Sequence, residues 1–241
     1  MKKLMIGLAI AMLAGAASAA VLVSDDFSYS GALTANGWTP FSGSDGSITS
    51  DGSVATVGSG AEDIRFTTAF ADQGVGDVFA SFLLTVTSAA AGNTHTFGFL
   101  DAATFDSRFG MTSSGTDFTL NVYGTATAVL GSSAALSFGT PYLVTLGYDA
   151  TTFTHSLWVN SDGTDFASPD LAFVAGVQTG IDNFYIRQAV PFGAGSASYT
   201  IDSLVVGENF SDVVTAIPEP ATMGLLGLGA LAMVLRRKMK K

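Results

Sequence analysis

Between Val21 and Val214 the chain never sustains an apolar period of 3.6 residues. Short runs of β-branched and aromatic residues recur instead, alternating with polar ones and cut off by Gly, Ser, Asn or Asp. A helix needs one continuous apolar stripe, whereas a half-buried strand needs only alternation, so this pattern predicts an all-β domain. The clearest runs are Val21–Phe27, Ile64–Phe70, Val78–Thr87, Thr94–Leu100, Phe118–Tyr123, Tyr142–Tyr148, Phe153–Val159, Phe184–Arg187 and Tyr199–Val206. Tyr142–Tyr148 and Phe153–Val159, separated by Asp149-Ala150-Thr151-Thr152, read as a hairpin. In Val78–Thr87 the residues Phe82, Leu84 and Val86 share one face and Ser81, Leu83 and Thr85 the other, which predicts burial mainly on one side. Gly43–Gly60 and Gly193–Ser198 read as flexible loops. The spacing of the runs suits a two-sheet antiparallel β-sandwich.

The ends differ from this body. Met1-Lys2-Lys3, an apolar stretch from Leu4 to about Gly15, and Ala17-Ser18-Ala19 follow the charged, apolar, small-residue order of a secretory signal. The apolar stretch falls short of the roughly 20 residues that cross a bilayer. Cleavage after Ala19 is expected, with Ala17 and Ala19 as the recognition pair, which makes residues 1–19 a signal helix and residues 20–216 the domain. At the other end Ile217-Pro218-Glu219-Pro220 precedes an apolar run, Ala221 to Leu235, and the cations Arg236, Arg237, Lys238, Lys240 and Lys241. Two prolines stop a helix from continuing upstream, and the basic cluster would stay cytoplasmic.

Pro218-Glu219-Pro220, the short Gly/Leu/Ala-rich run and a basic cluster beginning Arg236-Arg237 resemble the PEP-CTERM sorting signal of Gram-negative-type bacteria, over residues 217–241. That resemblance implies recognition by an exosortase, export to the cell surface with at least transient membrane anchoring by the hydrophobic helix, and an association with exopolysaccharide and biofilm matrix. The body resembles a concanavalin A-like or laminin G-like jelly roll. Asp25-Asp26-Phe27 opens it with Gly37-Trp38 close behind, Leu157-Trp158-Val159-Asn160 ends the hairpin, and Tyr199 to Gly207 closes it. The resemblance implies that the first and last strands pair, and a fold that often binds carbohydrate.

Composition narrows the chemistry. Cysteine is absent, so disulfides, thiolate metal sites and a cysteine nucleophile are excluded. Of ten Lys+Arg, two lie in the signal and five in the tail, leaving Arg65, Arg108 and Arg187; all twenty Asp+Glu lie between Asp25 and Glu219, so residues 20–220 carry a formal charge of −17. Such a body is not built to hold nucleic acid, which is bound through clustered cations.

Glycoside hydrolysis needs paired carboxylates, and apart from Glu219 the body has only Glu62 and Glu208, neither with a partner at the spacing of the laminarinase-type motif. No catalytic residue is expected. His95 and His155 sit in strand runs beside Thr or Ser and read as histidines on a solvated face. Asn160, Asp162 and Asp165 surround Gly163 and are the candidate calcium ligands, with a polar turn as the other reading; no Glu stands at the position that completes an EF-hand-type loop. Asp101 and Asp106 read as a weaker pair in another loop. No organic cofactor is expected. Among the aromatics Trp158 is the candidate sugar platform, although a buried sandwich tryptophan has the same sequence signature. The expected protein is a non-catalytic surface or matrix protein, structural or carbohydrate-binding, with the exosortase, the secretion machinery, extracellular polysaccharide and the membrane as partners. The competing expectation is a polysaccharide hydrolase or lyase, which a groove gathering Arg, His and Tyr would favour.

Overall fold

The structure, a computed structural model, describes residues 21–217 apart from 44–45, 75, 93, 103, 125–127, 176–179 and 189–196. In chain order the strands are β1 (Val21–Asp25), β2 (Ser30–Ala32), β3 (Trp38–Ser42), β4 (Thr49–Asp51), β5 (Ala55–Val57) and β6 (Asp63–Phe66). The long central strands follow: β7 (Asp77–Ser88), β8 (Thr94–Asp101), β9 (Thr104–Ser113) and β10 (Asp117–Tyr123). The remainder are β11 (Val129–Ser132), β12 (Leu136–Ser137), β13 (Pro141–Asp149), β14 (Thr154–Val159), β15 (Leu171–Val174), β16 (Asn183–Arg187) and β17 (Ser198–Gly207), and one helix, α1 (Phe210–Thr215), closes the described chain.

These strands form two antiparallel sheets, the jelly-roll sandwich expected. Sheet A runs β15-β14-β13-β7-β17-β5-β4-β2 with β1 on the second half of β17; sheet B runs β11-β10-β9-β8-β16-β6-β3 with β12 on β10. The first and last strands do pair, Asp25 opposite Leu204. The hairpin of β13 and β14 has the expected register, with Leu146 opposite Leu157 and Asp149 opposite Thr154.

The core lies between the sheets because alternate residues of every long strand are apolar. Val78, Ala80, Phe82, Leu84 and Val86 of β7 face Phe97, Phe99 and Phe109 of sheet B, and all are at most 1% exposed. Burying each large side chain contributes roughly 1.5–3 kcal/mol. Trp38 starts β3, stacks on Phe66 at 4.1 Å and donates its Nε1–H to Asp25 Oδ2 at 2.7 Å. Asp25 also accepts from Tyr29 Oη and from the Phe27 amide, which accounts for the Asp-Asp-Phe opening.

Several sequence expectations change here. The outer face of β7 is partly covered as well: Phe79, Leu143, Trp158 and Val205 of sheet A form a second apolar cluster with Phe210, Val213 and Val214 of α1 and with Ile217. The 43–60 stretch contains β4 and β5. It is pinned by Glu62, whose carboxylate accepts from the amides of Gly46, Ser47 and Ile48 and from Ser47 Oγ, at 2.6 to 3.1 Å. Of the 193–198 stretch, residues 193–196 lie outside the described residues, and Ser198 already belongs to β17. Asp101 ends β8 and Asp106 lies within β9, a strand whose Asp, Ser, Arg and Gly hid it from the apolar pattern.

Candidate functional site

Inward positions of sheet B are spent on the core, so its other face is set by the alternating residues between them. β6 contributes Asp63 and Arg65, β16 Tyr185 and Arg187, β8 His95 and Gly98, β9 Arg108 and Gly110, and β10 Asn121 and Tyr123. Register aligns them in two cross-strand rows. One runs Arg65, Tyr185, Gly98, Arg108, Tyr123. In the other, Asp63 stands opposite Arg187, and His95, Gly110 and Asn121 continue along β8, β9 and β10. All three arginines of the body therefore stand on one face of one sheet. Gly98 is required at the centre of its row, because a Cβ there would lie 1.9 Å from Ser107 O and 3.1 Å from the Tyr185 ring.

Phe105 lies over this surface, with its centroid 4.8 Å from Tyr185, 4.9 Å from His95 and 5.4 Å from Phe41. The Arg187 guanidinium sits 5.2 Å above the Phe105 ring and that of Arg65 6.0 Å above Phe41, so two cations bracket an aromatic pair. Arg187 also pairs with Asp63 at 3.2 Å and donates from Nη1 to His95 Nε2. With Nε2 accepting, the His95 proton resides on Nδ1 and is donated to Tyr185 Oη at 3.1 Å. Burial, then the charges of Arg187 and Arg108, hold His95 down at about 3, so it is neutral at ordinary pH. Burial pushes the Asp63 carboxyl up, with Arg187 opposing.

The histidines are thus not on a solvated face. His95 is 5% exposed and His155 is fully buried between the sheets. His155 Nε2 donates to Ala175 O at 2.9 Å and Nδ1 accepts from Ser107 Oγ at 2.9 Å, while burial lowers its pKa. Neither side chain sits at a strand position that alternation alone assigns to solvent: His155 shares the inward parity of Leu157, and His95 precedes a register shift in β8.

The structure gives the candidate calcium residues other work. Asn160 Oδ1 accepts from the Leu143 amide, Asp162 Oδ1 from Thr164 N and Oγ1, and Asp165 Oδ1 from Ser161 Oγ. Among the described residues no group of three His, Cys, Asp or Glu is placed to hold a metal ion. Trp158 is 2% exposed, under Phe210 at 4.6 Å and stacked with Phe166 at 6.2 Å, its Nε1–H donated to Asp165 O. It offers no free ring face as a platform, because α1 and Phe166 cover it; Phe166, half exposed, is what solvent meets there. Glu62, fully buried and saturated by loop donors, is not placed for acid–base work. Ala17, Ala19, Pro218, Glu219, Pro220, Arg236 and Arg237 lie outside the described residues. No helix among the described residues is long and apolar enough to cross a membrane.

No curated protein sequence matches the chain. Among solved structures it is similar to a sialidase (TM-score 0.53, 14% identity), covering 89% of this chain and 21% of that one, so it spans about a fifth of that enzyme's length. It is also similar to a protein described with endo-acting O-glycanases of the human gut microbiota that initiate mucin breakdown (TM-score 0.53, 9% identity, covering 78% of this chain and 99% of that one). A third is a beta-1,3-glucanase from Mycobacterium marinum (TM-score 0.51, 13% identity, covering 78% and 99%). At these identities the likeness is one of fold. Residues 216–238 match the family model of the PEP-CTERM protein-sorting motif, so the chain joins a β-sandwich of the concanavalin A/jelly-roll type to a PEP-CTERM sorting signal.

Proposed function

We propose that this is an exported, exosortase-sorted surface or matrix protein whose sandwich is a non-catalytic glycan-binding module, working through the outer face of sheet B. The observation that carries the reading is the partly exposed ring pair Phe41 and Phe105, bracketed by the guanidinium groups of Arg65 and Arg187, with Arg108 on the same face and the buried Tyr185 and Tyr123 beneath. Ring faces stack on the apolar faces of sugars, and guanidinium groups donate to their oxygens. The sorting motif supports export and a place at the cell surface, where polysaccharide is the abundant polymer. A glycan array probed with the full chain tests it: binding that falls in Phe105→Ala supports the face, and binding that ignores this substitution places the site elsewhere.

The hydrolase or lyase reading draws on the gathering of His95, Tyr185 and Arg187, and on the names of the similar enzymes. Against it, His95 has its one lone pair committed to Arg187 and is held at about 3, so it is a poor base near neutral pH. Release of reducing ends or of unsaturated sugars from a polysaccharide panel would restore that reading.

A further inference from the structure

Resting on the glycan-binding reading, the geometry points to an acidic polysaccharide, one bearing carboxylate sugars, as the ligand of the sheet B face. The body is strongly acidic, and a random placement of three arginines would spread them over both sheets and their loops. Instead Arg65, Arg108 and Arg187 stand within four adjacent strands on one face. Arg187 is neutralised by Asp63. Arg65 and Arg108 have no ion-pair partner among the described residues. The Arg108 Nε is buried with no acceptor in the protein. A buried guanidinium nitrogen without an acceptor costs free energy that a stability argument does not explain, and Arg108 as a whole is only partly buried, so the rest of its guanidinium is what an anion would meet.

Arg65 and Arg108 occupy the same row, three strand spacings apart, or about 14 Å, with Tyr185 and Gly98 between them. That separation suits a polymer whose charges recur along its length better than a single small anion. An extended acidic chain laid along the row would meet one guanidinium at each end and pass over the Phe105 ring, which covers the buried Tyr185 and Gly98 between them. The surrounding acidity does not forbid this, since at physiological salt the repulsion of distant carboxylates decays over about 8 Å, whereas guanidinium–carboxylate contact acts at hydrogen-bond range.

The test is equilibrium binding of the full chain to polygalacturonate, to the same polymer with its carboxylates methyl-esterified, and to duplex DNA. Every protein carries Gln in place of Arg236, Arg237, Lys238, Lys240 and Lys241, so that the tail does not itself hold polyanions. Arg108→Gln and Arg65→Gln keep a polar side chain and lose the charge; the melting temperature of each is read alongside, and neither loses an ion pair among the described residues. Expected is binding to polygalacturonate that weakens roughly tenfold to a hundredfold in each variant, with little binding to the ester or to DNA. Equal binding of acid and ester polymers, unchanged by both variants, overturns the acidic ligand and leaves a neutral glycan module. DNA held as tightly as polygalacturonate overturns it as unspecific anion attraction. Binding to neither polymer, with a blank glycan array, removes the module reading itself.

Discussion

Replacing Phe210 by alanine should release α1 from the sandwich without unfolding the sandwich. Phe210 is 5% exposed and its ring meets Trp158 at 4.6 Å, Phe166 at 5.5 Å and Phe79 at 5.7 Å. With Val213, Val214 and Ile217 it makes four buried apolar anchors, worth together roughly 6–12 kcal/mol of transfer free energy. Ordering the eight residues 210–217 costs roughly 8–16 kcal/mol in backbone entropy, and the three ring pairs return roughly 1.5–4.5 kcal/mol. Docking is therefore balanced to within a few kcal/mol, while truncating a buried Phe costs about 3–5 kcal/mol. The loss exceeds what holds the segment, so the local equilibrium should tip toward the undocked form. Amide exchange in residues 208–217 should then approach that of free chain, and Trp158 emission should shift to the red. Trp38, 1% exposed in the inter-sheet core against Phe66, should keep its environment, and the main melting transition should fall by far less than a core truncation causes. A full-size drop in global stability with residues 208–217 still protected would refute this reasoning and make α1 integral to the core.

Acidification should destabilise the domain before its carboxylates titrate: His95 is held near 3 when folded and at about 6.5 when unfolded, so below 6.5 the unfolded chain binds the extra proton. Folding free energy from urea titrations should drop by about 2 kcal/mol between pH 7 and pH 5 from His95 alone, His155 adding in the same direction; a flat profile would contradict the buried neutral histidines. Because Asp162 and Asp165 are committed to Thr164 and Ser161, millimolar calcium should leave the melting temperature unchanged relative to chelator, and a rise of several degrees would reinstate the ion. In a host with an exosortase, changing Pro218, Glu219 and Pro220 to alanine should leave the chain membrane-associated and untrimmed, while neutralising Arg236 and Arg237 with the three tail lysines should loosen membrane retention. Gel mobility and fractionation read both, and normal trimming of the alanine variant would make Pro-Glu-Pro incidental.

Alternation exposed the strands whose inward residues are large and unbroken. β7, β13 and β14 were legible to within a residue or so because Phe, Leu, Val and Tyr recur at every second place. β9 was not, since inward Ser107 interrupts the apolar series and Arg108 and Gly110 supply the outward one. That omission also concealed the candidate face. Arg65 and Arg187 sat in recognised runs, but only the β8–β9 and β9–β10 registers bring Arg108 beside them, and cross-strand register is a tertiary property. The signal available in the sequence was scarcity: three arginines in a body without lysine, each next to at least one aromatic or β-branched residue. Trp158 gave the opposite error. Its strand position assigns it to the outer face of sheet A, but the covering by α1 depends on Phe210, Val213 and Val214, apolar spacing too short to stand out as a helix.

The second apolar cluster fixes where the chain departs. Ile217 is 2% exposed on the outer side of sheet A, one residue before the sorting motif's first proline, whereas the arginine rows lie on the outer side of sheet B. With packed sheets about 10 Å apart, the exit toward the sorting motif and the arginine face occupy the back and front of one plate. A surface that held the protein through its tail would lie on the side of the back, and the face proposed to bind glycan would be turned away from it.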